Sequence, residues 1–203
     1  MNKKFIILLV MTIYSVMTAT AQLKETFDSN SWQWTEQSTN LGKVYIIDGV
    51  LRFDTDTPTD IAVQKVAENV SSHAYLPFDP TSGFTITCEA KVDKIGDDKY
   101  FGIILDYMDD MNFMCFTMSE NRAFLYKVTE GRITKKWSGQ LHLPKQKKAV
   151  LDFKIVYSGG ELEIRVNDIQ AIHAKFAPIE SNGFGFFAFG KTKIDFDNVE
   201  ISF

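Results

Sequence analysis

The sequence is short of crosslinking and metal-binding residues. Its 203 residues include only two cysteines, Cys88 and Cys115, and these belong to no CxxC or Cys/His cluster. The three histidines, His73, His142 and His173, stand singly, without a metal-ligand partner at suitable spacing and outside any Ser/His/Asp-like arrangement. The sequence therefore offers no zinc site of the usual spacing and no recognisable nucleophile–base pair.

Acidic residues outnumber basic ones, with 26 Asp and Glu against 22 Lys and Arg. The formal net charge is −4, and an acidic domain repels phosphate backbones, so nucleic acid is not an expected partner. No glycine-rich phosphate loop leads from a strand into a helix, and no stretch has convincing helical periodicity. The sequence thus favours neither a nucleotide-binding nor a helical protein.

The longest apolar run lies at the N-terminus. Lys3 and Lys4 precede the apolar segment Phe5 to Val16, which is shorter than the roughly 20 residues of a membrane span. Ala19-Thr20-Ala21 then has the small-x-small pattern of a signal-peptidase site. We expect residues 1–21 to be a signal peptide cleaved after Ala21, and residues 22–203 to form one domain of a periplasmic or secreted bacterial protein. A retained membrane anchor is the less favoured alternative, and we expect no stable membrane insertion after cleavage.

The remaining chain alternates apolar and polar residues in short runs that end in turns. About a dozen strands are predicted, and the final run ends the chain, which is typical of a β-sandwich whose last strand pairs with its first. The clearest hairpin signal is Asp48-Gly49 between Lys43–Ile47 and Val50–Asp54, because both central residues of a type I′ turn need positive φ.

Three segments are harder to assign. Trp32 and Trp34 are spaced by two, so we expect them on one face of a strand, with a packing role. Ile61 to Ser72 is interpreted as a strand followed by a loop. Cys88 lies on an apolar face and Cys115 lies two strands later, so two buried thiols are favoured over a disulfide.

Two strands are apolar on both faces. Phe113 to Met118 and Phe101 to Leu105 leave no polar face for solvent, so we expect them to be central strands. One face then meets the second sheet, and the other meets either covering loops, the favoured interpretation, or a ligand-binding surface.

The order of these segments resembles the concanavalin A-like (laminin-G-like) jelly rolls, and within them exported bacterial domains similar to the 3-keto-disaccharide hydrolase family. The resemblance rests on the following runs: Gly49–Phe53, Gly83–Val92, Tyr100–Leu105, Phe153–Tyr157, Leu162–Asp168, Gly183–Phe187 and Ile194–Ile201. It implies an all-β, two-sheet antiparallel sandwich. Members of this superfamily include glycan-binding modules, glucanases and adhesion or scaffold domains, so the fold does not choose among these functions.

The spacing Asp195-x-Asp197-x-x-Glu200 is similar to the Glu-x-Asp-x-x-Glu of glucanases in this superfamily. Period two would put Asp195 and Asp197 on one face and turn Glu200 away. We therefore expect these residues to form an exposed polar edge of the closing strand. A structural Ca²⁺ held by Asp197 with Asp28 is a weaker alternative, and no other cofactor is expected.

A second acidic group, Asp106, Asp109 and Asp110, flanks a tight turn and predicts a solvated hairpin tip. Aromatic residues nearby suggest another role, because the C–H face of a sugar ring stacks on an aromatic face while its hydroxyls need polar neighbours. The residues predicted to form such a glycan platform are Asp106, Tyr107, Arg122, Tyr126 and Trp137.

Three functions remain open. The favoured one is a non-catalytic carbohydrate-binding or accessory domain in polysaccharide use, with a glycan as partner. The alternatives are a glycoside hydrolase on the same fold and a structural or protein-interaction domain of the cell envelope.

Overall fold

The computed structural model describes residues 21–57, 63–67, 70–94, 100–118, 121–143, 147–175 and 177–203. The predicted signal peptide, apart from Ala21, lies outside these ranges, as do parts of the Ile61–Ser72 segment. No helix within the described ranges has the length and apolarity to span a membrane.

Antiparallel strands dominate the described chain. In order they are β1 Gln22–Glu25, β2 Gln37–Thr39, β3 Gly42–Ile47, β4 Val50–Asp56, β5 Ser71–Tyr75, β6 Phe84–Lys94, β7 Tyr100–Asp109, β8 Asn112–Met118, β9 Arg122–Thr129, β10 Arg132–Gln140, β11 Lys147–Ser158, β12 Glu161–Val166, β13 Ile169–Ala174, β14 Gly183–Phe189 and β15 Lys191–Ser202. Two short 3₁₀ segments, Val63–Lys65 and Pro80–Ser82, interrupt them.

The strands form two sheets. Sheet A has the order β13-β12-β11-β6-β15-β4-β3-β2, and β1 pairs with the second half of β15; sheet B has the order β10-β9-β8-β7-β14-β5. The predicted closure is confirmed, because Gln22 pairs with Ser202 and Glu25 with Val199. The predicted two-sheet antiparallel sandwich is likewise confirmed.

The core fills the space between the sheets. Alternate residues of each strand point inward, so that Phe186 of β14 meets Phe196 of β15 with ring centroids 4.1 Å apart and an interplanar angle of 22°. Both rings are fully buried, and burying an aromatic side chain stabilises the fold by roughly 1.5–3 kcal/mol. Contacts of this kind hold the two sheets face to face.

A second, smaller apolar cluster covers the outer face of sheet B. Ile104, Phe113, Cys115 and Phe187 belong to it, and Val66 and Ala67 from the segment after β4 pack onto it. The prediction that β7 and β8 are central strands under a covering loop is confirmed. Cys88 lies on β6 in the other sheet, and both thiols are buried and unpaired, as favoured.

Two strand assignments are wrong. Trp32 and Trp34 lie in a loop, where the side chain of Asn30 hydrogen-bonds both the backbone N–H and the carbonyl of Trp34 and Gln33 takes φ +59°. Such local side-chain bonds compete with a sheet ladder. The packing role of the tryptophans is confirmed, because Trp34 is buried and Trp32 packs against the core.

The segment interpreted as a strand followed by a loop has the reverse order in its described part. Val63–Lys65 forms a 3₁₀ turn, and the strand begins only at Ser71. Val66 is fully buried in the cluster on the outer face of sheet B, and Val63 packs against that cluster.

Candidate functional site

The outer face of sheet A carries charged side chains in rows across its central strands. Cross-strand pairing places Asp152 of β11, Glu89 of β6 and Asp197 of β15 in one row. The next row contains Lys154, Thr87, Glu200 and Lys24. Like charges directly opposite each other destabilise a sheet, so folding alone does not account for the acidic row.

A β-bulge decides where Glu200 points. The register between β15 and β6 shifts between Asp197 and Glu200, and Asn198 takes φ +51°. The inserted residue changes the alternation, so Glu200 pairs with Thr87 on the same face as Asp197. The expectation that Glu200 turns away from Asp195 and Asp197 is therefore wrong. So is the expectation of a polar edge, because β15 is paired on both sides.

The residues of both rows except Asp197 line a groove of about 460 Å³ over strands β6, β11 and β15. We call it the sheet A groove. The side chains that line it and carry hydrogen-bonding groups are Lys24, Thr87, Glu89, Asp152, Lys154, Asp168, Asn198 and Glu200. Carboxylates and the Asn198 oxygen accept hydrogen bonds, and the lysines, the threonine hydroxyl and the Asn198 amide donate them.

One carboxylate of the groove is already ion-paired. Lys24 Nζ donates to Glu200 at 2.8 Å, and Gln22 donates to its other oxygen at 3.3 Å. The hydrogen bond to Glu200 and its charge raise the pKa of Lys24. A general acid needs an environment that keeps its carboxyl group protonated, whereas an ion pair favours the charged carboxylate. Glu200 is therefore suited to accept hydrogen bonds and not to act as a general acid.

A second depression of about 480 Å³ lies further along the same face. Asp195 lines it, but its carboxylate receives two hydrogen bonds from Arg52, at 2.6 and 2.8 Å. The pair raises the pKa of Arg52, chiefly through the hydrogen bond from its side chain to Asp195. Asp195 therefore has few acceptor positions left for a ligand.

Two residues predicted for the glycan platform are buried. The carboxylate of Asp106 accepts the backbone N–H groups of Glu180 and Ser181, both at 2.8 Å, and lies 3.4 Å from Lys127 Nζ. Its side chain is 3% exposed, so the prediction that it belongs to a solvated hairpin tip is wrong. The cause is a register shift in β7 between Leu105 and Asp109, which turns Asp106 toward the segment before β14.

Tyr107 belongs to the apolar cluster that covers sheet B. Its hydroxyl donates to Asp110 at 2.9 Å, and its ring packs on His73 with centroids 4.0 Å apart. Burial, with the nearby Asp110 carboxylate, raises the pKa of Tyr107. The ring is therefore packed within this cluster and does not form an open surface for a sugar.

The other three predicted platform residues divide between two faces. Tyr126 lies beside Phe124 on the outer face of β9, and Lys136 Nζ sits 4.5 and 5.3 Å from the centroids of Phe124 and Tyr126. Arg122 is exposed at the start of the same strand. Trp137 pairs with the buried Leu125 and packs against the core, so the five residues do not share one surface.

The carboxylates predicted to hold calcium are each engaged locally. Asp28 accepts from the Thr26 hydroxyl at 2.8 Å, and Asp197 accepts from the Asn198 backbone N–H at 2.7 Å and lies 3.4 Å from Lys91. Within the described ranges, no group of three or more His, Cys, Asp or Glu side chains is arranged to hold a metal ion. The calcium site stays a prediction.

Sequence reasoning missed most residues of the sheet A groove. Glu89, Asp152 and Lys154 occupy the outward positions of strands whose inward positions are apolar, and such positions usually face solvent without a function. The sequence does show charged residues at those positions in three strands. Local alternation does not say which strands pair, so it does not show that these charges lie side by side.

Comparison with known proteins supports the fold. No protein-family model matches the sequence, and no curated relative was found. Among solved structures, the chain is similar to the carbohydrate-binding module CBM66 from Bacillus subtilis, with 14% identity, a TM-score of 0.55 and coverage of 82% of this chain and 94% of that one.

Two glucanases are also similar. A non-specific endo-β-1,3(4)-glucanase of family GH16 has 10% identity and a TM-score of 0.62, with 92% of each chain covered. The catalytic domain of an endo-1,3-β-glucanase from Thermotoga petrophila has 10% identity and a TM-score of 0.58, with 91% of this chain and 98% of that one covered. The fold is the concanavalin A-like jelly roll, and both binding modules and enzymes share it.

Proposed function

We propose that this protein is an exported, non-catalytic carbohydrate-binding domain, an accessory in polysaccharide use, and that it binds glycan in the sheet A groove. The observation that carries the proposal is the bulge at Asn198, which brings Glu200 to the face that carries Glu89 and Asp197. Bulges often re-aim a side chain at a functional site. The similar binding module and glucanases supply the ligand class.

The chemistry of the groove suits a polyhydroxylated ligand. Each sugar hydroxyl both donates and accepts a hydrogen bond, and the groove presents acceptors such as Asp152 beside donors such as Lys154. Its volume of about 460 Å³ lies within the usual range for small-ligand sites, about 300–1,000 Å³. A small number of placed polar groups in such a site fixes the orientation of the ligand.

The test begins with a glycan array and continues by titration calorimetry on the best ligand. Removing one charged hydrogen-bond partner costs about 1.5–3 kcal/mol, so Asp152→Asn and Glu89→Gln should each weaken binding by about tenfold or more. The control is Asp56→Asn, because that carboxylate is 77% exposed at the end of β4, away from the groove lining. Unchanged affinity in both groove variants would reject the groove as the binding site, and no response to any glycan would favour an envelope scaffold.

One observation favours a hydrolase as a second candidate. Glu89 and Asp197 are direct cross-strand partners, so two carboxylates stand side by side on one face, and glycosidases act through a pair of carboxyl groups. The ion pair between Glu200 and Lys24 favours binding instead. Release of new reducing ends from the bound glycan, abolished by Glu89→Gln and by Asp197→Asn, would establish the enzyme.

A further inference from the structure

A separate cleft lies at the edge of sheet B. It has a volume of about 340 Å³ and is lined by Trp32, Gln33, Thr35, His73, Ala74 and Tyr75. Strand β5 is the last strand of its sheet, and the loop before β2 is fastened to it, because the backbone N–H and the hydroxyl of Thr35 both donate to the carbonyl of His73, at 3.1 and 3.3 Å.

The two aromatic walls of this cleft are held in place. Trp32 stacks on Trp34 with centroids 6.4 Å apart and an interplanar angle of 24°. Trp34 is itself buried, and its indole N–H points at the buried Glu25 carboxylate, 3.4 Å away. Tyr75 is 55% exposed, yet its hydroxyl donates to the carbonyl of Met108 at 3.0 Å. Both rings are therefore presented to a ligand without a large loss of side-chain entropy on binding.

Polar groups lie between the aromatic walls. Gln33 is exposed and Thr35 is half-buried, and both side chains can donate and accept hydrogen bonds. No lysine or arginine occurs among the described residues that line the cleft, so its lining does not favour an anion.

We propose that this cleft binds one ring of a neutral sugar, with the apolar face of the ring against Trp32 and Tyr75 and its hydroxyls toward Gln33 and Thr35. Rigid aromatic rings beside a few polar groups are what a sugar ring needs, since its C–H face stacks while its hydroxyls hydrogen-bond. The cleft lies on a different sheet from the sheet A groove, so this site goes beyond the proposed function and is tested separately.

The experiment uses laminarihexaose, cellohexaose and mannohexaose as neutral probes, with titration calorimetry for affinity and tryptophan fluorescence for location. We expect at least one probe to bind and to change the fluorescence. Trp32→Ala should lose about tenfold or more in affinity and should lose the fluorescence change, although Trp34 and Trp137 remain. Tyr75→Ala should weaken binding similarly, whereas Tyr75→Phe, which keeps the ring, should retain more of the affinity.

The controls separate this site from the groove and from misfolding. Tyr45→Ala removes a half-buried aromatic side chain of sheet A and should leave affinity unchanged. Asp152→Asn reports on the sheet A groove: a probe that loses affinity in Trp32→Ala but not in Asp152→Asn supports the cleft and not the groove. Circular dichroism checks that each variant folds. If Trp32→Ala does not fold, the loss of affinity in Tyr75→Ala tests the cleft.

Three results would overturn the proposal. These are wild-type affinity for every bound probe in both Trp32→Ala and Tyr75→Ala, absence of binding by all three hexasaccharides, and binding in the cleft of adenosine, a planar aromatic probe, but of none of the sugars.

Discussion

Arg52 on β4 and Asp195 on β15 lie directly opposite each other, and the guanidinium donates to both carboxylate oxygens, at 2.6 and 2.8 Å. The two side chains are only 19% and 23% exposed. Bidentate pairs of this kind are among the strong hydrogen bonds of proteins because both partners are charged and the geometry is fixed. Asp195, the first acidic residue of the predicted motif, therefore links β15 to β4 in sheet A.

Replacing Arg52 with lysine should destabilise the protein, because an ammonium group cannot form the paired hydrogen bonds of a guanidinium. We expect Arg52→Lys to lower the free energy of unfolding by about 1–2 kcal/mol, as measured by urea denaturation. The control is Lys191→Ala, which breaks an exposed pair with Asp56 at 3.8 Å and should change the free energy by less than about 0.5 kcal/mol. Equal losses in both variants would contradict the structural role of the Arg52 pair.

Asp106 should behave as a structural residue and not as a ligand-binding one. Asp106→Ala leaves the N–H groups of Glu180 and Ser181 without their acceptor, so the free energy of unfolding should fall by about 2–3 kcal/mol. Asp109→Ala, at an exposed turn in the same hairpin, should cost less. A loss of glycan affinity in Asp106→Ala with unchanged stability would restore its predicted place in a binding platform.

The sequence specifies most strands here because at least one face of each is apolar. The apolar run Phe113 to Met118 lies within β8, Asn112–Met118, and Asp48 and Gly49 take the positive φ values, +52° and +72°, that their turn requires. The groove was not predictable in the same way. Its position depends on which strands become neighbours and on one extra residue at Asn198, and neither follows from local alternation.

The bulge itself can be tested at Asn198. Its φ of +51° is a conformation that asparagine and glycine accept and that a β-branched residue does not. We expect Asn198→Val to lower the free energy of unfolding by about 1–2 kcal/mol, measured by urea denaturation, and to weaken glycan binding because Glu200 is displaced. Asn198→Gly keeps the backbone conformation and should be nearly as stable as the wild type. Equal stability of the valine and glycine variants would contradict the positive φ at Asn198 and thus the bulge.

Gly139 marks the place where the two sheets meet at their edges. A Cβ atom built on Gly139 of β10 would lie 1.8 Å from the carbonyl oxygen of Ala171 on β13, a distance that no packing adjustment of a side chain relieves. Gly139→Ala should therefore force β10 and β13 apart and lower the free energy of unfolding by about 1–3 kcal/mol or more. Ser138→Ala, one residue earlier on the same strand, should have a small effect in the same thermal or urea measurement. Equal stability of the two variants would show that the strands do not approach this closely.

His73 should make stability depend on pH. Burial lowers the pKa of His73, and the nearby Asp110 carboxylate opposes that shift without cancelling it. Because the folded pKa lies below the unfolded value of about 6.5, the unfolded chain takes up a proton first as the pH falls. The contribution of neutral His73 is therefore fully present above about pH 6.5 and is lost as the pH falls toward the folded pKa. We expect His73→Gln to reduce the fall in the free energy of unfolding between about pH 7 and pH 5, as measured by urea denaturation at several pH values. His142→Gln, at an exposed position, should lose as much free energy of unfolding as the wild type over this pH range. A similar loss in the wild type, His73→Gln and His142→Gln would place the acid sensitivity elsewhere in the molecule.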